Sequence, residues 1–413
     1  MTDSQQESTV GRRTLSRRHL LLGGAAAGVG AAVAVGVDLV QRSGGETGLP
    51  APEFYPTGND TEPFYGTHQS GVMTSPQAHV TLIAYDLLPG TSREGVERML
   101  RLLTDDAAKL TLGSAALADT EPELAVVPAR LTVTVGFGPE LVKRVNPAAL
   151  PEWLTPLPAF NRDSLADEWS GGDLLIQVGS DDPLTVSHTV RMLSKDLRAF
   201  ATRRWAQSGF RRALSSESPG TTMRNLFGQV DGTVNPAADT EDFDTVVWQG
   251  DGAGWMAGGT SFVLRRIAMN LDTWDKLDRS GREQAMGRNL KNGAPLTGTK
   301  EHDEPDFEAK TSLGFPVISD ISHVRRARSE NTHERIFRRG YNYDEAIGDG
   351  HDSNAGLLFI SFQANPTTQF VPLQKRLDEL DLMNEWITHI GSVVVAIPPG
   401  CTEGGFIGET LFR

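Results

Sequence analysis

Leu174-Leu175-Ile176-Gln177-Val178-Gly179-Ser180-Asp181-Asp182-Pro183 and Leu357-Leu358-Phe359-Ile360-Ser361-Phe362-Gln363-Ala364-Asn365-Pro366 are the stretches that decide the fold. Each opens on a Leu pair in an apolar run and closes on Asp-Pro or Asn-Pro. The run reads as a strand. The closing pair, an N-cap residue with Pro at the first helical position, reads as a helix start. The spacing from Leu to Pro is the same in both. One strand-to-helix unit used twice at one spacing implies a duplicated chain. Further strand-like runs lie at His79–Tyr85 and Leu131–Gly136 in the first half, and at Ser261–Met269 and Val393–Ile397 in the second. After the first run, Val96, Met99, Leu100, Leu103, Ala107 and Leu110 fall on one helical face. A second helix is expected from Asp182-Pro183 to about Trp205, and another from Asn365-Pro366. Strands do not alternate regularly with helices. Two α+β halves, with antiparallel sheets and helices packed on one face, fit better than one parallel sheet.

The chain has 413 residues, a length that implies two domains or more. With 39 basic residues against 53 acidic ones the net charge is -14, which argues against nucleic-acid binding. The lone Cys401 excludes an intramolecular disulfide and any Cys-built zinc or iron–sulfur site. Residues 1–42 are a separate object. Ser16-Arg17-Arg18-His19-Leu20-Leu21 precedes an apolar run rich in Ala and Gly that ends at Asp38, the pattern of an export signal. The Arg pair resembles a twin-arginine signal, which implies passage through the twin-arginine machinery to a periplasmic, cell-surface or extracellular place. Because that segment carries more arginine than acid, the remaining body is more acidic than the whole chain. Residues 43–70 read as a linker or irregular arm.

The chemistry concentrates in the second half. Arg224-Asn225-Leu226-Phe227-Gly228-Gln229-Val230-Asp231-Gly232-Thr233 contains G-x-x-D-G. Glycines on either side of Asp231 let the backbone turn tightly and approach a flat ligand. Alone the pattern also fits an ordinary Asx-type turn. Two more segments stand with it: Ile321-Ser322-His323-Val324-Arg325-Arg326-Ala327, and Phe337-Arg338-Arg339-Gly340-Tyr341-Asn342-Tyr343.

Together these three segments resemble the dye-decolourising peroxidase family, including its twin-arginine-exported branch with deferrochelatase/peroxidase relatives. Supporting pieces are Gly172-Asp173-Leu174, Gly259–Arg266, Gly356–Phe359 and Gln374–Leu377. The resemblance implies two ferredoxin-like domains, at 71–218 and 219–413, with one haem b per chain in the second. It implies His323 as the axial iron ligand, with an acidic partner among Asp378, Glu379, Asp381 and Glu385. Asp231 and Arg338 would be the catalytic residues on the distal face, Asp231 as base and then acid and Arg338 as the stabilising cation. Gly232, Thr233 and Val234 would run along the haem edge. Arg265 or Arg266 would meet a propionate, and Arg328 completes the cofactor-binding set. Where relatives commonly carry an Asn-Pro-Arg triplet, this chain has Arg328-Ser329-Glu330.

The implied partners are hydrogen peroxide and dyes or other aromatic reductants, with homo-oligomerisation open. Tyr341, Tyr343 and Trp386 are candidates for surface electron relays, against a simpler role as packing aromatics. The alternative functions are an exported haem-handling deferrochelatase of iron uptake and a non-catalytic haem carrier. A carrier has no need of Asp231 and Arg338. No H-E-x-x-H and no G-x-S-x-G occurs, so zinc-protease and serine-hydrolase readings have no support.

Overall fold

The computed structural model describes residues 57–346 and 353–413. The segment read as an export signal, 1–42, and the first part of the expected arm lie outside them. In the first half the order is β1 (His79–Leu87), α1 (Arg93–Thr111), β2 (Thr132–Phe137), β3 (Leu174–Ser180), α2 (Pro183–Leu197) and β4 (Ala201–Phe210). These strands form an antiparallel sheet in the order β2-β3-β1-β4. In the second half β5 (Thr260–Met269) is followed by two short helices, Leu271–Trp274 and Arg279–Met286, and a long irregular stretch. After it come α3 (His323–Ala327), β6 (Phe337–Arg338), β7 (Tyr341–Asp344), β8 (Ala355–Gln363), α4 (Phe370–Leu380) and β9 (Ile387–Ile397). Here β9, β5 and β8 lie side by side, with β6 and β7 beside β8. Last strand, first strand, third, second: both halves repeat one βαββαβ arrangement, the ferredoxin-like α+β pattern.

The halves are fused into one sheet system. Phe137 on β2 pairs with Ala396 on β9, and Phe210 on β4 pairs with Asn342 on β7. Gly209 sits at the second seam, where an added Cβ would lie 2.7 Å from the Tyr341 Cβ. Alternation across the strands sorts the core. Ile83, Val133, Val135 and Ile176 face α1 and α2, while Val80, Leu82 and Leu175 face Phe262, Leu264 and Val395 of the other sheet. The expected stripe of α1 is fully buried. Each such Leu contributes about 1.5–3 kcal/mol by leaving water. The division at 218/219 is therefore one of topology, since residues 57–413 form one unit.

Asp182 caps α2 by accepting from Thr185 N at 2.8 Å, with Pro183 in the first turn. The helix stops at Leu197, however, and Ala201–Phe210 is a strand, which corrects the expected helix to Trp205. The polar residues of β4 alternate with buried Trp205, Gln207 and Gly209, a half-buried strand pattern. After Asn365-Pro366 the first turn closes through Gln369 N–H to Asn365 C=O at 3.1 Å. Regular helix begins at Phe370, and the Gln369 side-chain amide donates to the carbonyls of Val246 and Arg335.

Candidate active site

Arg224 and Val230 form an isolated bridge, and Asp231 N–H donates to Met223 C=O at 2.8 Å. The loop between them turns at Gly228, φ 81°, and leaves at Gly232, φ 126°. The second value lies outside the left-handed helical well, so only glycine meets it without strain. Asp231 is thus presented by backbone. Its Oδ1 accepts from Arg338 Nη1 at 2.6 Å, and the two side chains are 14% and 24% exposed. Glu301 accepts from Thr222 Oγ1 at 2.6 Å and Thr233 Oγ1 at 3.0 Å, holding both ends of the loop.

His323 opens α3, and its Nδ1 lies 2.5 Å from Asp381 Oδ2. Asp381 follows α4 and is buried, and its other oxygen accepts from Met383 N at 3.0 Å. Both carboxylate oxygens are therefore used, and the choice left open among four carboxylates falls on Asp381. Asp378 instead binds the backbone of Asn161 and Arg162, Glu379 pairs with Arg326, and Glu385 lies 4.0 Å from Arg162. Burial pulls the His323 pKa down, but the Asp381 charge and hydrogen bond outweigh it, and the net shift is upward. Arg338 and Asp231 also act on that imidazole, downward and upward respectively, which places the pair in its electrostatic reach. With Nδ1 committed to a carboxylate, Nε2 is the nitrogen left for a metal, the usual arrangement for a metal-bound histidine.

His323, Asp231 and Arg338 share one cavity of about 630 Å³, with Gly232, Thr233, Val234 and Arg328 also in its wall. Its apolar lining includes Ile267, Met286, Leu357, Phe359 and Leu377. Size and lining suit a cofactor site, and a chamber with apolar walls, an imidazole whose Nε2 is left for a metal and the Asp231–Arg338 pair suits a haem. Val234 is 61% exposed and Arg328 pairs with Glu304, so these lie toward the mouth. A larger cavity of about 810 Å³ lies beside Trp153 and Trp255, but its one titratable lining residue is Glu152. It lacks the acid–cation pair that the smaller one holds.

Arg265 lines the cavity, yet its terminal nitrogens are engaged by Asp163 and Ser392. Only Nε is without a partner among the described residues. Arg266 points elsewhere, between the rings of Trp169 and Tyr343 and onto Glu345. Tyr341 and Tyr343 are fully buried, so neither is a surface group, whereas Trp386 is partly exposed against Trp274. Sequence reasoning missed Arg288, Glu301 and His389, all in the cavity wall. Burial, then Arg265, pushes His389 down to about 3, so it stands neutral. No motif marked these three, because they come from irregular chain or from a strand interior.

Residues 69–211 match the family model "Dyp-type peroxidase, N-terminal", and residues 222–402 match "Dyp-type peroxidase, C-terminal". A dye-decolorizing peroxidase of Thermobifida fusca is 38% identical over 84% of both chains. A deferrochelatase of Escherichia coli is 31% identical over 99% of this chain and all of its own. Among solved structures, a DyP-type peroxidase from Cellulomonas bogoriensis is 49% identical with TM-score 0.84, covering 87% of this chain and 100% of its own. Ferric DtpA from Streptomyces lividans is 37% identical with TM-score 0.83, over 87% and 100%.

Proposed function

The chain belongs to the Dyp-type peroxidase family, its cofactor is haem, and from that premise we propose the division of labour among its residues. The carrying observation is the Asp231–Arg338 pair at 2.6 Å, in one cavity with a histidine whose Nδ1 is taken by Asp381. His323 would hold the haem iron through Nε2, and the buried Asp381 fixes the tautomer and ring orientation. Haem, when bound, supplies the iron at which peroxide is cleaved heterolytically and stores the oxidising equivalents later passed to reductants.

The protein's own part is proton and charge management. One peroxide oxygen must lose a proton and the other must gain one to leave as water. Asp231 accepts that proton and returns it. Arg338 stabilises negative charge on the departing oxygen; donors of this kind are worth about 100- to 1000-fold in rate. The apolar walls keep bulk water from competing. Reductants are dyes and other aromatics. The Arg17-Arg18 segment directs export by the twin-arginine route. A haem carrier gives no reason for a carboxylate and guanidinium in contact inside the cavity, so the peroxidase reading is preferred over simple haem handling.

The test is turnover of an anthraquinone dye by the holoenzyme and its variants. Asp231→Asn combined with Arg338→Leu should abolish it while leaving the haem absorption band. Turnover that survives the double substitution overturns these roles.

A further inference from the structure

β6 is only two residues long and pairs on one side, with β8: Phe337 with Phe362 and Arg338 with Ser361. The outward N–H and C=O of Arg338 would be bare edge groups, which a sheet leaves to solvent or must pair. Both are taken by one side chain. Arg338 N–H donates to Asn235 Oδ1 at 2.9 Å, and Asn235 Nδ2 donates to Arg338 C=O at 2.7 Å. An N–H accepts nothing and a C=O donates nothing, so these partners settle which amide atom is oxygen. The carboxamide offers the same acceptor and donor as a neighbouring peptide and stands in for the missing strand. Asn235 is itself fixed, its N–H donating to Gly232 C=O at 3.0 Å in the turn that follows Asp231.

We propose that Asn235 is a positioning residue for the distal pair, stapling the main chain of Arg338 to the loop that carries Asp231. Among the described residues, only the ion pair itself otherwise hydrogen-bonds residues 228–235 to residues 337–338. The staple matters because, on the reading above, Asp231 changes charge during each cycle. An ion pair that loses its anion no longer holds the cation. Two bonds between neutral groups do not depend on that charge, and they keep Arg338 in place for the step in which it is needed. Aspartate at 235 would keep the acceptor but set a carboxylate oxygen against the Arg338 carbonyl. Alanine would orphan both backbone groups.

The inference rests on the distal roles of Asp231 and Arg338, and the experiment separates the two. Fluoride affinity of the ferric holoenzyme is measured by absorption titration, beside the melting temperature, for N235A, N235D, R338L and N235A/R338L. Fluoride at a haem iron is held partly by nearby hydrogen-bond donors, so its affinity reports where Arg338 sits. Losing one hydrogen bond to a charged group is worth roughly 10- to 100-fold in affinity. The expected result is at least about a tenfold loss in R338L and in N235A, a loss of the same sign in N235D, and no further loss when N235A is added to R338L. Should N235A fail to take up haem, the similarly sized N235D carries the comparison. If R338L loses affinity while N235A and N235D bind as the parent does, the staple is refuted and the distal reading stands. Equal losses from N235A with and without Arg338 also refute it, since the effect then bypasses the arginine. If R338L binds fluoride as the parent does, the distal reading itself fails and takes the staple with it.

Discussion

Replacing Asp381 by Asn should weaken haem binding by about 10- to 100-fold, the usual effect of removing a carboxylate behind a metal-bound histidine. The structure gives the same magnitude independently. The His323–Asp381 contact is 2.5 Å, with the carboxylate side chain 1% exposed, and hydrogen bonds to charged groups are worth about 1.5–3 kcal/mol net. At about 1.4 kcal/mol per decade that is roughly one to two decades in affinity. Asparagine cannot recover the loss, because Asp381 serves two donors at once, His323 Nδ1–H and Met383 N–H. An amide has one oxygen for the two, and its NH₂ would face the other donor. The assay is titration of haem into haem-free protein, followed by the absorption band of the complex. His323→Ala is the informative contrast. It also abolishes ligation, but it leaves the buried carboxylate without its partner. Breaking a buried pair from one side costs about 3–5 kcal/mol, an upper figure here because the Met383 N–H remains, and denaturant melts of the haem-free protein would register it. If D381N binds haem as the parent does while D378N, E379Q or E385Q binds weakly, the assignment of the partner is wrong.

Arg338→Leu should slow the reaction of the holoenzyme with peroxide by about 100- to 1000-fold in stopped-flow absorption, with a parental haem spectrum before mixing. Gly232→Ala should destabilise by about 1–3 kcal/mol because its φ of 126° excludes side chains. Gly228→Ala, at φ 81° with open space for a Cβ, should cost no more than about 1–2 kcal/mol; paired melts compare them. Asp196 is pushed up to about 7 by burial and then by the Asp106 carboxylate. Its folded pKa thus exceeds the unfolded 3.8, the folded chain holds the extra proton between those values, and stability falls as pH rises through the window. Asp196→Asn should remove that decline, by about 1–2 kcal/mol at pH 8 once partial solvation is discounted, and an unchanged melting-temperature profile from pH 4 to 8 counts against it. Arg17→Lys with Arg18→Lys should trap the protein in the cytoplasm in cell fractionation, and undiminished export rejects the twin-arginine route.

The duplication was legible because it is written in local chemistry. Leu174-to-Pro183 and Leu357-to-Pro366 repeat one strand, cap and helix start, and burial of Val96 through Leu110 follows from period alone. That Asp231, His323 and Arg338 belong together, as their shared cavity has it, was legible for another reason. Glycines, a histidine beside a basic cluster and an Arg-Gly-Tyr run are distinctive in themselves, and the family resemblance joined them. What lacks a local signature stayed hidden. Strand β4 reads as polar helix until β1 pairs with it. Four carboxylates within a few residues could each serve His323, and only the exit path of α4 brings Asp381 to 2.5 Å from it. Asn235 and Glu301 act on chain far from them in sequence, so no spacing rule could find them. The sequence by itself determined the repeated unit and which side chains can do chemistry, because propensity, capping and residue type are local. Only the tertiary structure decided which carboxylate backs the histidine and what holds the arginine against the aspartate, because those depend on loops meeting across the fold.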